Sequence, residues 1–211
     1  TGITGSGSER DVAQLNFQFT PNTGVTKLVF QIVMGSEEYN EYVGQGFSDN
    51  IRILLTGGSY SNTNVAVVPG TGTGIDIDTI NNSINSAYYR DNTVASPPVA
   101  DSVLDGFTTV IVPVRAVTPG TTYTANIAVA DFLDNAYNSA SFLGYFGSSL
   151  NLDLYSNDST TTGTAFNTTY NEGGAAVSIA DTDRLITNYD STTVQSAVIT
   201  LTNAQADDVM T

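Results

Sequence analysis

Apolar residues recur at every second position along most of this chain, and no run holds a helical period beyond about two turns. In AQLNFQF (13–19) the alternation sets Leu15, Phe17 and Phe19 on one face. KLVFQIVM (27–34) is almost continuously apolar, as expected of a strand buried on both sides. IRILLTG (51–57), NVAVVPG (64–70), TTVIVPV (108–114), TYTANIAVA (122–130) and SLNLDLY (149–155) follow, each bounded by Gly, Pro, Asn or Ser. The nearest approach to a helix is DTINNSINSAYY (78–89). Short strands at this density predict an all-β fold, a β-sandwich or jelly roll.

With 211 residues, 40% of them hydrophobic, the chain can build one large domain, or one domain plus part of a second. The composition shifts near residue 172. NDSTTTGTAFNTTYNEGG (157–174) is polar and turn-rich, and a new β unit opens at AAVSIADTDRLITNYD (175–190). The expected division is residues 1–172 and 173–211, with the second part either a partial repeat or the closing strands of the main body. The chain starts without Met or a signal peptide, so it is expected to be a piece of something longer.

Charge and missing residue types narrow the chemistry. Twenty-one acidic residues face six basic ones, a net charge of −15, which repels nucleic acid and anionic membranes. The absence of Cys excludes disulfides, Fe–S clusters and a thiol nucleophile. The absence of His removes the commonest zinc ligand and general base. Oxygen donors remain, the ligands of a hard cation; calcium takes roughly six to eight of them. No apolar run approaches ~20 residues, the length of a membrane-spanning helix.

Those oxygens gather in three places. GSEEYNEYVGQGFSDN (35–50) carries Glu37, Glu38, Glu41 and Asp49 with no basic residue before Arg52. Two like charges about 4 Å apart repel by roughly 1 kcal/mol in water and about 4 kcal/mol near a protein surface. Such a loop is either spread in solvent or supplied with a cation. AVADFLDNAYNSASFLG (128–144) sets Asp131 at a strand exit, followed by Asp134, Asn135 and Asn138. In VLDGFTTV (103–110), Asp105 precedes a glycine and enters a strand. Three acidic loops, each abutting an apolar strand, make a plausible oxygen cage at one end of a sandwich. Adjacent Glu37 and Glu38 cannot both point inward from a regular strand; one is expected to bind metal and the other to accept backbone N–H bonds. Glu41 is expected to be solvated, and Asp76 and Asp78 in GIDIDTI (74–80) to lie on a solvent-facing strand edge.

In order along the chain, DVAQLNFQFTP, SEEYNEYVGQGFSDN, NVAVVPGTGTGIDIDTIN, YYRDN, DGFTTVIVPV and PGTTYTANIAVADFLDNAYNSASFL resemble the choice-of-anchor L type of domain of bacterial surface proteins. They are also similar to the peptide-binding domains of giant calcium-dependent RTX adhesins. The resemblance spans about residues 10–145. It implies a calcium-stabilised β domain with its ligand loops clustered at one end. Carried across by position, the calcium ligands are Glu37, Glu38, Asp49, Asn50, Asp105, Asp131 and Asp134. The family often reads FND where this chain reads FSDN, which leaves Asp49 and Asn50 as alternatives. The last forty or so residues resemble the opening of a bacterial cadherin-like or Ig-like repeat, with Asp181 and Asp183 as a second, junction calcium site.

The implied function is a non-enzymatic module of an extracellular adhesin, monomeric within a long chain, that grips the C-terminal end of a partner peptide through bound Ca2+. Tyr39, Tyr42, Tyr88, Tyr89, Arg90, Asn135 and Asn138 are candidates to contact the peptide, Tyr supplying contact area at low entropy cost. For the four tyrosines, ordinary packing is the competing reading; for Arg90, pairing with Asp91. A calcium-dependent lectin and a passive calcium-stiffened spacer are the alternative functions. Glycoside hydrolysis would need two carboxylates about 5 Å or roughly 6.5–9.5 Å apart with divergent pKa values, and the chain has no Trp to platform a sugar.

Overall fold

The computed structural model describes residues 9–93, 100, 102–133, 136–155, 165–171, 173–189, 193–194, 196–200 and 202. The chain separates into two compact units, 1–149 and 150–211.

The first unit is an all-β sandwich of two five-stranded antiparallel sheets. Its strands are β1 (Glu9–Phe19), β2 (Lys27–Ser36), β3 (Asn50–Gly57), β4 (Tyr60–Asn64), β5 (Ile75–Asp76), β6 (Tyr89–Asp91), β7 (Gly106–Thr108), β8 (Val114–Ala116), β9 (Tyr123–Phe132) and β10 (Ser139–Ser148). One sheet runs β1-β9-β3-β4, with β5 on β3; the other runs β10-β2-β7-β6, with β8 on β2. The alternation explains what lies between them. Phe30, Ile32 and Met34 of β2 face Ile51, Ile53 and Leu55 of β3 in a single buried core that also takes Tyr39, Val65, Val68 and Ile77. Gly35 lets the outer face close tightly, since a Cβ there would come within 2.7 Å of the Phe107 ring.

The runs at 27–34 and 51–57 fall inside β2 and β3, and all but the first residue of 122–130 falls inside β9. NVAVVPG does not form the strand its apolar content predicts: β4 ends at Asn64, whose Oδ1 accepts the amides of Ile53 and Ala66. Val65, Ala66 and Val68 are buried from a loop. TTVIVPV is split between β7 and β8, with Ile111 making one isolated bridge to Ile32. The strand β10 was hidden in SASFLGYFGS, where small residues dilute the pattern and a register shift falls between Leu143 and Tyr145. Between 78 and 89 the only helical piece is a short 3-10 turn, Ser86–Tyr88.

The sandwich is closed on one flank by aromatic packing: the Phe146 ring lies 5.0 Å from those of Phe17, Phe19 and Phe30. Farther along β1 and β10, the gap opens into a cleft of about 250 Å³ lined by Ala13, Leu15, Ile127, Val129, Ser141 and Leu143.

In the second unit, β11 (Leu150–Asp153) pairs antiparallel with β12 (Leu185–Asn188), and the Tyr155 and Phe166 rings meet at 6.2 Å. The division between compact units falls between residues 149 and 150. Among the described residues, no helix is long and apolar enough to cross a membrane.

Burial sets the expected cost of core changes. Ile53→Ala, at a fully buried position, should lower unfolding free energy by about 2–5 kcal/mol. Leu15→Ala, at a site 53% exposed, should cost about 1 kcal/mol or less. Urea unfolding of both variants measures the difference; equal costs would contradict the open flank.

Candidate metal centre

In β3 and β9, Ile51 stands opposite Val129, Ile53 opposite Ile127 and Leu55 opposite Ala125, all facing the interior. Two residues farther along each column, the alternation puts Asp49 and Asp131 on the same inward side. The facing sheet does likewise. Its column Phe30, Ile32, Met34 continues to Ser36 and Glu38, and β10 sets Ser139 opposite Ser36. At this end of the sandwich the hydrocarbon interior therefore gives way to carboxylates and hydroxyls. They are not on the surface: Glu38 is 1% exposed, Asp49 0% and Asp131 5%.

The hydrogen bonds converge on Asp49. Its Oδ2 accepts the Ser36 hydroxyl at 2.8 Å and also the Ser139 hydroxyl, while Ser36 Oγ accepts the Glu38 amide at 2.9 Å. The Glu38 carboxyl bonds to that of Asp49. Burial pushes the Asp49 carboxyl above its ordinary range, against the pull of Ser139, Ser36, Glu38 and the Phe132 amide. Two touching, buried carboxyls cannot both ionise unless a positive charge joins them. Asp49 Oδ1 is enclosed and closes no hydrogen bond. An acceptor left in that state costs about 1–3 kcal/mol.

This donor set fits a hard cation: every candidate atom is oxygen, and one buried carboxylate oxygen has nothing else to bind. Among the described residues no three acidic side chains stand together as a ready cage, so the hydroxyls of Ser36 and Ser139 count among the donors. A bound calcium would supply the charge that lets both carboxylates ionise.

The other expected residues are distributed around this centre. Glu37 and Glu38 divide as the pleat requires. Glu38 points inward, and Glu37 accepts the Asn138 backbone and side-chain amides at 2.8 and 2.7 Å. The Glu37 amide donates back to the Asn138 carbonyl at 3.0 Å, so Asn138 holds the loop. Asn50 is buried, but pairs with Asp76 across β3 and β5, one step from Asp49 along the pleat and so on the opposite face. Of the two alternatives, Asp49 belongs to the cluster. Asp134 and Asn135 lie outside the described residues. Asp105 is half-buried beside Glu41, Glu37 and Asp91. Asp181 accepts the Thr182 hydroxyl at 3.1 Å in a turn that Asp183 shares, within the second unit.

Among the aromatic candidates, Tyr39 is wholly buried and Tyr89 is 7% exposed, with ring centroids 4.9 Å apart. Packing is the reading that holds for them, because a ring without surface cannot wall a groove. Tyr88 packs partly against the core. Tyr42 does reach the surface region, its hydroxyl 3.1 Å from that of Tyr137 and its ring beside Phe47. Arg90 is exposed and turns its guanidinium to the Tyr89 carbonyl. Asp76 bonds Thr79, and Asp78 accepts the Gly44 amide at 2.6 Å, tying the acidic loop down. Ser36, Ser139 and Tyr137 escaped the sequence reading; for Ser36 the signal was its place two residues beyond Met34 in an inward column.

The sequence model of the choice-of-anchor L domain matches residues 1–149, the span of the first compact unit. The chain belongs to that family. No curated protein and no solved structure matches it. As a choice-of-anchor L domain, the first unit is a surface-associated, extracellular module.

The raised Asp49 pKa has a definite sign. A group whose folded pKa exceeds its unfolded one contributes stability below the unfolded value and loses it as pH rises through the folded value. In EDTA, the melting temperature should therefore fall as pH rises from roughly 4 towards neutrality. Saturating calcium should remove that fall, because the cation favours the ionised pair. Asp49→Asn should flatten the metal-free profile and abolish the calcium increment. Scanning calorimetry at several pH values reads all three; a profile indifferent to calcium would leave the carboxyls as a protonated pair only.

Proposed function

We propose that this choice-of-anchor L domain is the ligand-binding module of a bacterial surface adhesin of the RTX type. It captures the C-terminal end of partner peptides by a calcium-dependent contact and so serves adhesion, colonisation or biofilm formation. The observation that carries the reading is the buried Glu38–Asp49 pair at one end of the sandwich, with two loops latched over it. Glu37 with Asn138, and Tyr42 with Tyr137, join the 37–47 loop to residues 136–138.

The residues divide the work. Glu38 and Asp49, with Ser36 and Ser139, would hold an enclosed ion that stabilises the loops by binding only the folded state. Tyr42, Tyr137 and Phe47 form an aromatic group on the outer side of those loops, suited to flank an incoming chain. Only a chain end offers an α-carboxylate, which makes selectivity for C-termini a direct consequence of carboxylate capture. The second unit is read as the start of a cadherin-like or Ig-like repeat, or as a closing β unit, outside the ligand site; Asp181 and Asp183 would serve a junction ion.

Arrays of immobilised peptides with free and amidated C-termini test the reading. Binding should need calcium, vanish in EDTA, and weaken at least tenfold, about 1.4 kcal/mol, on amidation. Binding that survives EDTA at unchanged affinity would exclude the calcium-dependent mechanism; selective binding on a glycan array instead would favour a lectin.

A further inference from the structure

We infer that the flank bounded by β1 and β10 is a self-association surface, on which a second copy of this chain adds its own β1 antiparallel about a two-fold axis. Both sheets are open on this side. β1 ends the order of one sheet and β10 that of the other, and among the described residues each pairs with a single strand, β9 and β2 respectively. An edge strand presents unpaired N–H and C=O groups, a template for another strand, and proteins ordinarily blunt it with short length, charge, Pro or a bulge. β10 is blunted by its register shift between Leu143 and Tyr145. β1 is not: its irregularity lies between Arg10 and Ala13, and from Ala13 to Phe19 the ladder is regular, without charge or Pro.

The side chains along this flank belong to the core but lack neighbours. Leu15 stands opposite Ile127 and Leu143 opposite Ile32, so both point to the interior side of their sheets. Even so, Leu15 is 53% and Leu143 39% exposed, in the cleft of about 250 Å³ between β1 and β10. Phe146 closes the flank over Phe17 and Phe19, and nothing equivalent covers the leucines. A two-fold axis perpendicular to the sheets keeps the inward face of β1 inward in both copies. Pairing of 13–19 with itself then sets each Leu15 beside apolar residues of the other copy and covers the cleft.

Charge identifies the occupant. A chain of net charge −15 repels a second copy over most of its surface, and self-contact needs a face without charge. The sequence carries no Asp, Glu, Lys or Arg from Val12 to Thr26, nor from Asn135 to Leu152. Those two stretches contain the regular part of β1 and the whole of β10. A basic partner would find no carboxylate there to pair with, whereas a second copy meets only amides and hydrocarbon. The other sheet ends compete poorly: β4 has five residues, and β6 has three, among them Arg90 and Asp91. An isologous contact uses the same flank on both copies, so assembly closes at the dimer.

Size sets the strength. The 13–19 ladder is about 24 Å long and packed sheets stand about 10 Å apart, which gives a footprint on the order of a few hundred Å² per copy, below the roughly 800 Å² of a standard interface. The dimer is therefore a reversible, concentration-dependent one, favoured where chains are held side by side on a surface. It departs from the monomer that the family resemblance implies, and it does not depend on calcium or on peptide capture.

Sedimentation equilibrium of the whole chain, at concentrations up to about 1 mM, tests the inference. The parent should show a monomer–dimer equilibrium that tightens as salt screens the charge on each copy. Leu15→Lys should weaken the dimer at least tenfold, while Val103→Lys, which adds the same charge at a residue 67% exposed outside the flank, should not weaken it. The chain has no Cys, so single cysteines at Gln14, Asn16 and Gln18 give a second reading. A disulfide forms only where the two Cα atoms lie within about 7 Å, so oxidation should link the position nearest the two-fold axis and spare its neighbours. All three positions are exposed, and these variants decide the matter if Leu15→Lys does not fold. A parent monomeric at about 1 mM, a folded Leu15→Lys variant that dimerises as the parent does, absent or equal linking at the three positions, or growth beyond the dimer would overturn the inference.

Discussion

Two carboxyl groups in contact inside a β-sandwich set the terms for everything around them. Leaving both Glu38 and Asp49 charged and dry without a counter-charge would cost several kcal/mol per ion. Keeping them neutral forfeits the strong hydrogen bonds that ionised acceptors make. The fold spends two serine hydroxyls and a backbone amide on Asp49 and still leaves Oδ1 enclosed without a bond. A hydrophobic pair would fill this space without that difficulty. The arrangement makes physical sense as a site prepared for positive charge.

The position of the pair explains the loops. Inward columns of both sheets end here, so the 37–47 segment must cross from β2 to β3 over a polar interior. It is pinned from three directions: Glu37 to Asn138, Gly44 to Asp78, and Ser36 to Asp49. Each anchor comes from a different stretch of chain. Charge removed or added at Asp49 therefore acts on the geometry of β10 as well as on the loop, through Ser139 and Ser36, which are themselves partners in the β2–β10 ladder.

Where one face was buried, the sequence could be read directly. The columns of β2, β3 and β9 follow from strict alternation or continuous apolar runs, because nothing else keeps Ile51, Ile53 and Leu55 dry. The strand β10 escaped because Ser139, Ala140, Ser141 and Gly144 carry little hydrophobic signal, and its pairing with β2 is long-range. NVAVVPG misled for the opposite reason: Val65 and Val68 are buried without a ladder, since Asn64 satisfies the local backbone. For the site, residue type showed the acids but not their depth. Glu37 and Glu38 differ by one position and by an entire environment, and the burial of Tyr39 and Tyr89 depends on Gly106 lying beneath the ring.

The acidic loop is best understood as a distributor. Glu38 turns into the sandwich, Glu37 turns to Asn138, and Glu41 faces the corner of Asp91 and Asp105. Within five residues the chain thus addresses a buried cluster, a neighbouring loop and an exposed acidic corner. A regular strand offers only two directions, so three require the backbone to leave the ladder, and β2 does end at Ser36. The loop must then be held without ladder bonds, which is why side chains rather than strand pairing anchor it. That dependence couples the loop to charge: its anchors are carboxylates, and whatever compensates those carboxylates also decides how firmly the loop is held.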